Sequence, residues 1–165
     1  MNIVITMSRR YGTGASEIAK ELSEKLDIPV YDKAYIEHEV EHTSYKEESE
    51  LIKKLAEKPC IILGRCASEI LKHQSNVFNV YVSAAKSDRI KRLMEVYGHT
   101  EEEAKRMIEE NDKARAEYYY EHTGMVWGDV NNYDLCLDTG RIGYDGAVDM
   151  ICAYIAQRER FLAGK

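Results

Sequence analysis

Three short runs in this chain are apolar at nearly every position: residues 3–7, Cys60–Leu63 and residues 77–82. A strand with one wet face alternates apolar and polar residues, so runs like these predict central parallel strands covered on both sides. Each leads into a helical pattern. After the first, Ala15, Ile18, Ala19, Leu22 and Leu26 fall at helical spacing on one stripe. Residues 29–31 read as a short second strand, and residues 32–42 and 44–57 as helices, the latter with Leu51, Ile52 and Leu55 on its apolar side. Ile90, Leu93, Met94 and Tyr97 mark a helix that Gly98 ends. Thr100-x-x-Glu103 is a capping box for the next helix, which runs to Tyr120. A last strand at 134–137 precedes a closing helix over 144–161. This alternation predicts an α/β fold, an open parallel five-stranded sheet in three layers with right-handed crossovers. Ligands then bind beyond the carboxyl ends of the strands, where the loops after Met7, Leu63, Val82 and Leu137 converge.

The length of 165 residues suits one domain with one core, residues 100–130 forming a lid-like helical segment. With 44% hydrophobic and 32% charged residues the chain is a folded globular protein and not a disordered one. A net charge of −6 and scattered Lys and Arg argue against nucleic acid as a partner, so any anion site has to be built locally. Cys60, Cys66, Cys136 and Cys152 show neither C-x-x-C nor metal-ligand spacing, and reduced cytoplasmic thiols are expected. No leader pattern and no membrane-length apolar run is expected to direct the chain to a membrane.

The first strand enters a glycine turn that opens a helix, an arrangement suited to phosphate. In G-x-x-x-x-G-K-[ST], backbone N–H groups wrap the phosphates, the lysine neutralises them and the hydroxyl ligates Mg²⁺. Here the eight positions are Arg9, Arg10, Tyr11, Gly12, Thr13, Gly14, Ala15 and Ser16. The second glycine and the hydroxyl are present, Arg9 replaces the first glycine, and Ala15 takes the lysine position. Arg9, Arg10 and Lys33 are candidates for the missing charge; the alternative is a loop that holds one phosphate, or none.

Gly64-Arg65 directly follows a buried strand, where a planar guanidinium meets substrate oxygens. The competing role is an ion pair with a neighbouring helix. In the helix from Thr100, the apolar stripe Ala104, Met107, Ile108 continues as Asn111, Asp112 and Arg115, a switch that indicates a face turned to a cleft. An Asp112–Arg115 surface pair is the simpler alternative. Arg89, Lys91 and Arg92 suit either a site or a solvated face. Tyr118, Tyr119, Tyr120, Trp127 and Tyr133 read as packing residues with hydrogen-bonded hydroxyls. Asp138-Thr139 borders a possible adenine pocket, and the five histidines default to the surface.

Taken together, S-R-R-Y-G-T-G-A-S-E-I-A-K-E-L at 8–22, P-V-Y-D-K at 29–33, P-C-I-I-L-G-R-C-A at 59–67, R-I-K-R-L at 89–93 and the stretch at 118–139 resemble the bacterial cytidylate kinase-like family. The resemblance covers nearly the whole chain. It implies a P-loop nucleoside-monophosphate-kinase-like fold that transfers the γ-phosphoryl of ATP to a nucleoside monophosphate such as CMP or dCMP, with Mg²⁺ and nucleotides as its small-molecule partners. By that resemblance Gly12, Thr13, Gly14, Ala15 and Ser16 hold the donor, with Ser16 on the metal side. Asp32, Lys33, Arg65, Asp112 and Arg115 bind the acceptor, and Arg65, Arg89 and Arg115 act on the transferring group. The chain departs from the family pattern at Ala15, at Leu63 and Cys66 where aspartates flank Gly-Arg, and in a short segment between Ile36 and Leu55 that reduces the acceptor lobe. A catalytically inactive relative, binding a nucleotide or a partner in the same cleft, is the alternative.

Overall fold

Side chains alternate across a strand, and in the middle of this chain both sets are apolar, so two helical layers are needed to cover them. The computed structural model describes residues 2–165 and has this arrangement. The elements are β1 (Val4–Arg9), α1 (Ala15–Leu26), β2 (Val30–Tyr31), α2 (Lys33–Glu39), α3 (Tyr45–Leu55), β3 (Cys60–Leu63) and α4 (Ala67–Ile70). They continue as β4 (Val77–Ser83), α5 (Lys86–Tyr97), α6 (Glu101–Thr123), β5 (Leu135–Asp138) and α7 (Thr139–Ala163). The five strands form one sheet in the order β2-β3-β1-β4-β5, every neighbouring pair parallel. The α/β expectation therefore holds.

One face of the sheet carries Ile5, Met7, Ile61, Leu63, Val80 and Val82 against α1 and α7. The other carries Val4, Cys60, Ile62 and Val77 against α2, α3 and α4. Between the central strands, Thr6 Oγ1 donates to Asn79 Oδ1 at 2.7 Å, joining paired positions of β1 and β4. Helices α5 and α6 pack on each other through Leu93, Ala104 and Ile108, and Tyr11 from the loop after β1 lies against them.

The helix signals act where the spacing places them. Thr100 and Glu103 form the reciprocal capping box of α6, and Gly98 closes α5 with φ 71°. The last helix differs from expectation, beginning at Thr139 and breaking at Gly143, where φ 71° and ψ −178° are non-helical. Its early start comes from Asp138, whose side chain accepts the Gly140 N–H. The chain leaves β1 towards the β3 side and β4 towards the β5 side, which opens a crevice at their carboxyl ends.

Ile62 lies fully buried on the α2–α4 face. Ile62→Ala is expected to lower unfolding stability by about 2–5 kcal/mol, read from urea denaturation. A loss below about 1 kcal/mol would mean that this face is not packed as described.

Candidate functional site

The loop after β1 is shaped from several directions at once. Gly12 and Gly14 take left-handed conformations, φ 83° and 81°, and Gly14 precedes the first residue of α1. A Cβ on Gly14 would run into the Tyr144 ring. Thr13 Oγ1 donates to the Arg10 carbonyl at 2.9 Å, while Thr139 Oγ1 donates to the Thr13 carbonyl at 2.9 Å. From α6, Asp112 Oδ1 accepts the Tyr11 N–H at 2.8 Å. Its second oxygen accepts from Arg89 Nη1 at 2.7 Å, and Arg89 also donates to the carbonyls of Ala84 and Tyr11, at 3.0 and 3.3 Å. Asp112 and Arg89 thus hold the loop from behind, with side chains 14% and 7% exposed.

In front, the loop borders a hollow of about 170 Å³ that includes Ala15, Ser16, Glu17 and Arg92. Ala15 is buried and Ser16 is exposed in the first turn of α1. Glu17 is held by Arg92 at 3.1 Å.

A cleft of about 360 Å³ adjoins the hollow, walled by the ends of β1 and β3, the Gly64-Arg65 turn and the α6 face bearing Asn111, Arg115 and Tyr118. Arg9 and Arg115 border both spaces. Arg115 Nη1 donates to the Arg9 carbonyl at 2.8 Å, and its guanidinium lies 5.7 Å from the Tyr11 ring centroid. The Arg9 guanidinium passes over Gly64, where a Cβ would sit 2.7 Å from Nη1. Burial, and next the Arg115 charge, push the Arg9 pKa down to about 10, Asp32 offsetting part of this. Arg115 is likewise lowered by burial, with Asp112 opposing.

Arg65 has a different environment. It, Gly64 and Cys66 form three consecutive left-handed residues with φ 56°, 67° and 58°. That turn sends its side chain to α3, where it donates to Glu48 at 2.7, 2.8 and 3.1 Å and lies 4.5 Å from the Tyr118 ring. Burial opposes the Arg65 charge, but Glu48 and Tyr118 carry its pKa above the ordinary value. Asp32 caps α2 through the Tyr35 N–H at 2.8 Å, and Lys33 borders the cleft, 3.8 Å from Glu37. Of the residues singled out from sequence, Arg9, Lys33, Arg65 and Arg115 border the cleft, whereas Asp112 and Arg89 sit behind the loop.

Two readings of the sequence need correction. Tyr119, Trp127 and Tyr133 pack as expected and the Tyr118 hydroxyl donates to Glu48 at 3.4 Å, but Tyr120 is exposed, and the buried hydroxyls of Tyr119 and Tyr133 have no hydrogen-bond partner of good geometry among the described residues. His122 is not at the open surface; it stacks on Tyr45 at 4.4 Å, beside Tyr118. Glu48 was missed. Its signal was a carboxylate one turn before Ile52 on the apolar face of α3. No described helix is long and apolar enough to cross a membrane. Among the described residues no three His, Cys, Asp or Glu side chains gather as metal ligands.

The model of the cytidylate kinase-like family matches residues 4–49 and 35–141. A cytidylate kinase from Pyrobaculum neutrophilum is 26% identical over 171 residues, covering 93% of this chain and 92% of the relative. An uncharacterized protein from Eubacterium ventriosum has a structure that superimposes with a TM-score of 0.89 at 30% identity, over 95% of this chain and 99% of that one. A shikimate kinase from Bacteroides thetaiotaomicron shares the fold, with a TM-score of 0.62 at 16% identity over 93% and 98% of the two chains.

Replacing Asp112 by Ala leaves Arg89 buried with no carboxylate and frees the Tyr11 N–H. The expected cost is about 3–5 kcal/mol in chemical denaturation, as for other broken buried pairs. Asp112→Asn keeps an acceptor for Tyr11 and is expected to lose less.

Proposed function

The chain belongs to the cytidylate kinase-like family, and from that premise we propose that it transfers the γ-phosphoryl group of ATP to a nucleoside monophosphate, CMP or dCMP, at a low rate. The observation that carries this reading is the shared wall: Arg9 and Arg115 border both the loop hollow and the cleft. A donor whose phosphates lie on the loop and an acceptor in the cleft then meet at those two cations. Phosphoryl transfer of this kind needs alignment and charge neutralisation more than a protein nucleophile. The acceptor class follows the cytidylate kinase from Pyrobaculum neutrophilum.

The loop suits the donor. Left-handed Gly12 and Gly14 set the turn from which α1 begins, their missing Cβ atoms making room for Arg89, Leu93 and Tyr144 behind it. Ser16 is the hydroxyl for Mg²⁺, and a metal that takes the rest of its oxygen ligands from phosphates and water needs no protein cage. Mg²⁺ supplies charge neutralisation at the transferring group. Asp112 and Arg89 hold the loop in shape, and Arg65 is the group for the acceptor phosphate, in exchange for Glu48. Four free cysteines suit the reducing cytoplasm.

A second reading has its own observation. Ala15 is buried where the loop pattern has a lysine, and losing one preorganised charge or donor costs roughly 10²–10³ in rate. A relative that binds nucleotide without turnover also fits the hollow.

Coupled ADP-release assays over CMP, dCMP and UMP, with ATP and Mg²⁺, separate the two. CMP-dependent ADP release is expected; calorimetric ATP binding with no release for any acceptor establishes the second reading. In a Glu48→Ala background, which removes the stranded carboxylate, Arg65→Ala is expected to weaken CMP binding about tenfold or more. Arg158→Ala serves as the comparison, because Arg158 pairs with Asp134. Equal effects of the two would take Arg65 out of the acceptor site.

A further inference from the structure

The sequence left three candidates for the positive charge that the loop lacks, and two of them are engaged elsewhere. Arg10 leans on the Trp127 ring at 5.4 Å with Asp112 at 3.7 Å. Lys33 is 63% exposed and lies beside Glu37. Other arginines around the two spaces are also paired: Arg65 with Glu48, Arg89 with Asp112 and Arg92 with Glu17. Among the described residues of the hollow and cleft, Arg9 and Arg115 are the arginines with no carboxylate oxygen within 4 Å.

We propose that Arg9 and Arg115 form a phosphate-oxygen site at the seam between hollow and cleft, with Arg9 acting in place of the loop lysine. This rests on the phosphotransfer reading and adds the residue that makes it workable without Lys at position 15. Arg9 lies at the end of the central strand, so its backbone is set by the sheet and not by the loop. Gly64, with φ 67°, is what gives its guanidinium passage to the cleft. Both arginines border the same two spaces, burial works against both charges, and the Arg115 charge works against that of Arg9. The unpaired charges cost the fold until an anion lies between them. The fork of an arginine grips two oxygens at once, where lysine offers a point charge.

The full chain is titrated with inorganic pyrophosphate and separately with ATP and Mg²⁺, as wild type, Arg9→Met, Arg9→Lys and the surface control Lys105→Met. Arg9→Met is expected to weaken pyrophosphate about 10- to 100-fold, with Arg9→Lys recovering much of the loss and Lys105→Met unchanged. Without ligand, Arg9→Met is expected to melt at or above the wild-type temperature, since its loss relieves the repulsion with Arg115; an arginine kept for packing would lower it. Undiminished pyrophosphate and ATP binding by Arg9→Met, or a clear drop in its ligand-free melting temperature, overturns the proposal while leaving phosphotransfer in place. Arg9-dependent pyrophosphate binding with no ADP release for any acceptor leaves this site standing and removes the phosphotransfer reading. Wild-type protein that binds neither probe overturns both.

Discussion

One carboxylate organises the working end of this molecule. Asp112 accepts the Tyr11 N–H with one oxygen and the Arg89 guanidinium with the other, so the loop after β1, helix α5 and helix α6 are fixed to each other at a single point. Arg115 follows one turn later on α6, and the same anchoring brings its Nη1 onto the Arg9 carbonyl. The loop's shape and the position of the second cation therefore come from one interaction. Because Asp112 and Arg89 are both largely shielded, the pair exerts its force in a medium where water competes weakly.

The layers were legible because the apolar runs left few alternatives. Continuous burial of Cys60, Ile61, Ile62 and Leu63 requires cover on both sides, and the stripe on α1 supplies one side of it. Gly98 and the Thr100–Glu103 box were readable for the same reason, since a cap is a local interaction between near neighbours. The start of the last helix was less so, because the Asp138 cap and the Gly143 break compete within five residues.

The candidate site was legible as a set of residues and not as a set of roles. Spacing on α6 placed Asp112 and Arg115 on one face, but Asp112's partner is a backbone N–H 101 residues away, and no pattern in the chain announces it. Arg65 was identified from its strand edge. Its partner Glu48 lies 17 residues earlier on α3, and which of the two proposed roles Arg65 takes depends on that distance in space. The left-handed turn at Gly64, Arg65 and Cys66 decides its direction, and two non-glycine residues in that region are rare enough that sequence gives no warning.

The charges then sort into two kinds. Arg65, Arg89 and Arg92 each have a carboxylate oxygen within 3.1 Å that offsets their charge. Arg9 and Arg115 do not, and they stand out in a chain whose overall charge is −6. Such a chain attracts anions where its own cations lack carboxylate partners, as at the seam. A lysine on the loop would bring its charge on a flexible stem, free to follow the ligand. An arginine at the end of the central strand brings it from a fixed direction, so under the proposed role of Arg9 the sheet's register, and not the loop, would set where a phosphate oxygen is held.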